Sequence, residues 1–136
     1  MTREQLDALA GLVGKPYRLG ASGPDAFDCY GLAREVLRLS RIELPPVERV
    51  SDYIGTMREH AERQNWTQVE TPEEFDLVLM ANVLRRDRHI GVFIRPSTAG
   101  VVIHAFETMG VCLHDVHALK ALGMNELRFF RRKVAA

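Results

Sequence analysis

Residues 24–40, PDAFDCYGLAREVLRLS, set a cysteine directly behind an acidic residue and at the entrance of a helix. Asp28 is the natural N-cap, because its carboxylate can accept the orphan amide hydrogens of a first turn. Leu32, Val36, Leu37 and Leu39 then recur at helical spacing as one apolar stripe. A helix starting at about Cys29 with one buried face is the expectation. Cys29 itself has two readings: a small buried hydrophobe, or a nucleophile whose thiol pKa is lowered by the amides and partial positive charge of the helix start.

Working outward, residues 15–27 (KPYRLGASGPDAF) hold two prolines and two glycines and read as an irregular loop. Ahead of it, residues 2–13 carry Leu6, Leu9, Ala10 and Val13 on one side of an amphipathic helix that Thr2 caps and Gly14 stops. Behind it, Pro45 and Pro46 end the helical region, and Tyr53, Ile54 and Met57 predict a third helix over residues 51–63. From Trp66 onward short apolar runs alternate with turn material. Residues 75–80, 89–94, 101–106, 111–116 and 126–133 predict the strands of one antiparallel sheet. Helices first and strands second make this an α+β domain, with N-terminal helices packed on the sheet and residues 1–136 as a single domain.

A chain of 136 residues can bury one sizeable core without staples. Its 18 Lys and Arg balance 18 Asp and Glu, so no global field draws in nucleic acid or an anionic membrane. No apolar run approaches the ~20 residues of a membrane helix. The start, MTREQLDALAGLV, lacks the layout of a secretory signal, so a cytoplasmic site of synthesis is expected. The two cysteines, Cys29 and Cys112, form no CxxC, and neither a disulfide framework nor a structural zinc site is expected. Cys112, between Val111 and Leu113, reads as an ordinary strand residue. His60, His114 and His117 read as surface or edge positions without metal-ligand spacing.

A thiolate enzyme needs a general base within hydrogen-bond reach and a third group that holds the base in one tautomer. His89 opens the strand HIGVFI, with Gly91 on the same face to leave room beside the imidazole for a helix end. His104 lies in the next strand, VVIHAF. A hairpin centred near residue 97 or 98 sets His89 opposite positions 105–107 and brings His104 within one or two residues of register, where a bulge can align the side chains. Arg85, Arg86 and Arg88 form a basic turn beside His89, either solvated or facing a substrate carboxylate at the cleft rim.

The run GKPYRLGASGPDAFDCYGLAREV, followed in order by FDLVLM, RHIGVFI and VVIHAF, resembles the NlpC/p60 family of papain-like cysteine peptidases, especially its phage-tail versions. The resemblance covers residues 14–132. It implies a papain-like fold and a triad with Cys29 as nucleophile, His89 as general base and then acid, and His104 orienting His89. Tyr17 matches a tyrosine that lines the site near the oxyanion position. Asp28 matches an acidic residue that in cell-wall enzymes helps bind the free amine of a short peptide.

The activity so implied is cleavage of the γ-D-glutamyl to diamino-acid bond of peptidoglycan stem peptides, through an acyl-enzyme and without metal or cofactor. Peptidoglycan peptides and phage tail proteins are the implied partners, with no role for nucleic acid or membrane. Two positions depart from the family pattern. Tyr30 replaces the serine of the usual D-C-S-G, as in the phage-tail branch, and Phe75 replaces the glycine of G-D-L-V. The missing secretory signal also fits a tail or prophage component. Two alternatives stand beside this reading: a tail-assembly or binding module of the same fold, its groove closed by Tyr30, and a papain-like acyltransferase or amidase using the same triad.

Overall fold

A computed structural model describes residues 1–47, 65–84 and 87–133. The helix expected over 51–63, like Arg85 and Arg86, lies outside the described residues. The first helix, α1, spans Arg3–Leu12 and starts in a capping box: Thr2 Oγ1 accepts from the Gln5 amide at 3.1 Å, and Gln5 Oε1 accepts from the Thr2 amide at 3.0 Å. Helix α2 spans Cys29–Arg38 with Asp28 as its N-cap. Both match the sequence reading. Among the described residues no helix is long and apolar enough to cross a membrane.

Strands β1 (Trp66–Val69), β2 (Leu77–Asn82), β3 (Asp87–Ile94), β4 (Val101–Phe106) and β5 (Gly110–His114) precede a short helix α3 (Val116–Ala121) and the closing strand β6 (Glu126–Arg132). The strands form one antiparallel sheet in the order β1-β6-β2-β3-β4-β5. Alternation along the strands separates two faces. Leu77, Ile90, Val92, Ile103 and Phe130 pack with Leu32, Val36 and Leu37 of α2. On the other face Val78, Met80, Phe93 and Val102 are covered by Leu119 of α3 and by Met124. Because β2 is covered on both faces, its sequence LVLMAN runs apolar instead of alternating.

The structure differs from the sequence reading at three elements, one of them β2, which runs over Leu77–Asn82 and not over 75–80 because the backbone turns at Phe75. Strand β1 went unread: four residues show no period of their own, and Trp66 owes its burial to pairing with β6. The run 111–116 stops as a strand at His114, because the Asp115 carboxylate accepts from the Ala118 amide at 2.7 Å and caps α3.

At Phe75, where the family pattern has glycine, φ is 65°, in the left-handed region. Phe75 is nonetheless buried in the α2-facing core, and burial of that ring offsets a backbone cost of about 1–2 kcal/mol. The next residue, Asp76, accepts from Arg131 Nη2 at 2.8 Å and Nε at 3.2 Å and ties the start of β2 to β6.

Candidate active site

The cysteine side of the site is built by residues close in sequence. Asp28 Oδ1 accepts from the Gly31 amide at 2.6 Å, and Oδ2 accepts from the Gly20 amide at 3.0 Å. One carboxylate thus caps α2 and pins the preceding loop. A Cβ on Gly31 would stand 2.3 Å from Ala21 O and 2.9 Å from Ser22 Cα, so the loop presses on the first helical turn at a distance only glycine permits. Cys29, the first residue of that turn, is 7% exposed.

The histidine side is built by strand register. Strand β3 pairs with β4 through Val92↔Ile103, Phe93↔Val102 and Ile94↔Val101, a hairpin centred between residues 97 and 98 as expected. His89 Nε2 and His104 Nδ1 lie 2.9 Å apart. Gly91 does make room, but for β4 and not for a helix end: its Cβ would stand 2.7 Å from Val102 Cγ1, 2.9 Å from Ile103 O and 3.1 Å from His104 Cβ. The glycine therefore lets His104 come in beside His89.

Phe106 completes this side. Its ring stacks on His89 with centroids 4.7 Å apart and 9° between planes, and meets His104 edge-on at 4.6 Å. His104 Nε2 lies 2.9 Å from His114 Nδ1 and 3.7 Å from Cys112 Sγ. His114, expected at a surface or edge position, is thus a third member of a histidine chain.

The two sides meet at a cleft of about 410 Å³ whose walls include Tyr17, Cys29, Arg88, His89, Phe106 and Glu107. The Ile90 amide acts on the Cys29 sulfur, which places the thiol against β3 one residue from His89. Tyr17 is held there because the loop after α1 pairs with the start of β5: Gly14 N donates to Val111 O at 2.9 Å and Val111 N donates to Lys15 O at 2.9 Å. Gly110 allows that approach, since a Cβ would stand 2.3 Å from Lys15 O.

Electrostatics differ from the sequence expectation at the thiol. Burial and then the Asp28 charge push Cys29 up to about 12, while the amides of Ile90, Tyr30 and Cys29 itself pull the other way. The helix start does supply favourable amides, but desolvation outweighs them. Burial likewise brings His89 down to about 4, and burial with the neighbouring His89 and His114 brings His104 down to about 3. The resting pair is therefore a neutral thiol and a neutral imidazole. Burial first, then Cys29, Asp28 and Glu107, raise Tyr17, which keeps its phenol a hydrogen-bond donor.

Of the predicted residues, Cys29, His89 and Tyr17 line the cleft, with His104 directly behind His89. Asp28 and Tyr30 instead line a separate cavity with Gly20, Gly31 and Arg34. The Tyr30 ring is buried and its hydroxyl donates to the Pro45 carbonyl oxygen, so it does not close the Cys29 groove. Sequence reasoning missed Phe106, Cys112, His114 and Glu107. For three of them a signal existed: Phe106 follows His104 by two residues, and Cys112 and His114 are themselves two apart, so each pair shares a sheet face.

No curated protein matches the chain. Among solved structures, a protein described as similar to lipoprotein, NLP/P60 family, from Staphylococcus aureus subsp. aureus Mu50 superposes over 100% of this chain with a TM-score of 0.62 at 19% identity. NlpC1 from Trichomonas vaginalis superposes over 94% with a TM-score of 0.60 at 21% identity. The chain spans 43% and 42% of the length of these two structures, which share its fold. The NlpC/P60 family profile matches residues 14–124, from the loop that carries Tyr17 through both histidine strands to the end of α3, and the chain belongs to the NlpC/P60 family.

Proposed function

We propose that this protein is a cysteine peptidase that hydrolyses the γ-D-glutamyl to diamino-acid bond of peptidoglycan stem peptides, as a component of a phage or prophage tail. The observation that carries the reading is the single cleft lined by Cys29 and His89, with His104 Nδ1 2.9 Å behind His89 Nε2. Membership of a family of cell-wall peptidases and amidases supports the substrate class. Arg88 and Glu107 supply opposite charges on the cleft wall, which suits a stem peptide carrying both carboxylate and ammonium groups. The tail setting rests on the phage-tail character of Tyr30.

With Nε2 engaged by His104, the ring nitrogen of His89 that remains for the thiol is Nδ1. His89 takes the Cys29 proton as sulfur attacks the substrate carbonyl carbon, and Tyr17, on the wall of the same cleft, is the donor assigned to the developing oxyanion. Collapse breaks the C–N bond, the leaving amine departs with the proton from His89, and a thioester remains. Water then attacks the thioester carbonyl carbon as His89 takes its proton, the C–S bond breaks, and the departing Cys29 sulfur recovers that proton from His89, leaving a free carboxyl group on the product. Because the resting thiol is held up, proton transfer accompanies attack and no preformed ion pair is required.

Muropeptide digestion followed by mass spectrometry tests this: wild type should release the diamino-acid fragment and Cys29→Ala should not. Intact muropeptides with folded wild type would sink the reading. One observation favours a second reading, a non-catalytic binding module of this fold: burial and the Asp28 charge push the Cys29 thiol up to about 12, away from the thiolate that attacks carbonyls. Muropeptide binding without turnover would select it. An acyltransferase or amidase would instead give a product carrying a different acceptor on the same glutamyl carbonyl.

A further inference from the structure

We propose that His104, Cys112 and His114 form a zinc site on the side of the histidine pair away from the cleft, and that an ion held there blocks His89. Strand register brings the three together: His104 pairs with Cys112, and His114 lies two residues further along β5 on the same face. One ligand atom from each of the three, a ring nitrogen of His104, Cys112 Sγ and a ring nitrogen of His114, lies within 4.8 Å of the others. Around a tetrahedral zinc with ordinary Zn–N and Zn–S bonds, ligand atoms stand roughly 3.3–3.7 Å apart.

The sulfur, 3.7 Å from His104 Nε2, already has that spacing. The two nitrogens, 2.9 Å apart, must open by only about 0.4 Å to reach it. Two imidazoles and a thiolate select zinc over magnesium or calcium and leave a fourth position for water. His104 is fully buried, whereas Cys112 and His114 are half-buried, so the ion enters from their side.

The outer contact of His104 is also in place. A metal-binding histidine usually donates its second N–H to a fixed partner, and His104 Nδ1 already lies 2.9 Å from His89 Nε2. Proton accounting then links the site to the cleft. Zinc binding releases the Cys112 thiol proton to solvent and needs lone pairs on both His104 Nε2 and His114 Nδ1. His104 therefore carries its proton on Nδ1 and donates it to His89 Nε2. Neutral His89 must carry its own proton on Nδ1, the nitrogen facing the thiol side, and cannot accept from Cys29.

The blocking effect rests on the peptidase reading; the binding does not. Cobalt(II) titrated into the full chain, as a spectroscopic stand-in for zinc, should give a thiolate-to-cobalt charge-transfer band. That band should persist in Cys29→Ala, vanish in Cys112→Ser, and need at least ~10-fold more metal in His114→Ala, with each fold checked by circular dichroism. A band lost in Cys29→Ala and kept in Cys112→Ser would overturn the proposal by placing the metal at the catalytic pair, and so would absence of any band in wild type. Zinc should also slow muropeptide hydrolysis in wild type about 10-fold more than in Cys112→Ser; equal inhibition would overturn the blocking role. No hydrolysis by metal-free wild type would count against the peptidase reading alone and leave the cobalt result to decide the site.

Discussion

The two sides of the cleft are made by different means. Around Cys29 the capping and loop contacts are short in sequence, Asp28 to Gly20 and Gly31 and Gly31 to Ala21 and Ser22, and only the Ile90 amide reaches the sulfur from the sheet. Around His89 every contact crosses a strand pair, to His104 and Phe106 on β4 and onward to Cys112 and His114 on β5. A thiol set by capping depends on a few amides and one glycine. An imidazole pair set by register depends on the pleat of three strands, where a slip of one residue turns His104 to the opposite face. The two sides are therefore expected to fail separately, and each prediction below probes that separation.

The largest effect is on turnover. Cys29→Ala and His89→Ala should each lower kcat/KM on a muropeptide by at least about 10^4-fold and, combined, by little more than either alone, because the two act as one unit. Product yields that multiply instead would break the dyad. Stability should behave oppositely. Gly31→Ala and Gly91→Ala should each cost about 1–3 kcal/mol in chemical denaturation, one through the loop against α2 and the other through Val102, Ile103 and His104. Their double variant should cost the sum to within about 0.5 kcal/mol, and a clear departure would show that the two sides fold as one.

Acid should strike the histidine side. His89 and His104 are held at about 4 and about 3 against an ordinary 6.5, so the unfolded chain binds more protons than the folded one between these values. Stability is then fully present above pH 6.5 and is lost progressively as pH falls toward 4 and 3. Thermal melts across pH 3–7 check this, and His104→Gln should flatten the dependence. The acid limb of kcat/KM in the free enzyme should fall near pH 4; a limb near 6.5 would show His89 to be solvated.

The smallest effect isolates the cap. Asp28→Asn keeps one oxygen to cap α2 but turns its NH2 toward the Gly20 amide, so stability should fall by about 1–2 kcal/mol, while loss of the charge that raises Cys29 should shift alkylation by iodoacetamide to lower pH. An unmoved alkylation profile would leave burial as the sole cause of the raised thiol.

Legibility followed the same division. The Asp28 cap, the start of α2, the Thr2 cap of α1 and the hairpin centre were all readable, since each is decided by residues near one another or by an apolar period. His89 and His104 were readable as partners because one short turn links their strands. Cys112 and His114 were read singly although a short turn links β4 and β5 as well; their contact with His104 follows from the register His104↔Cys112, which no residue of VCLHDV shows by itself. Tyr30 misled for the same reason: its place beside Cys29 suggested a closed groove, and only the packing of α2 against the segment ending at Pro45 turns the ring away.

By itself the sequence determined the α+β order of elements, the helix start that carries Cys29 and the strands that carry the two histidines, because capping, turn chemistry and periodicity act within a dozen or so residues. Tertiary structure alone decided the state of the thiol and the extent of the histidine chain. Desolvation is a property of what surrounds a group from every side, and cross-strand neighbours come from register, so neither is written in any single segment.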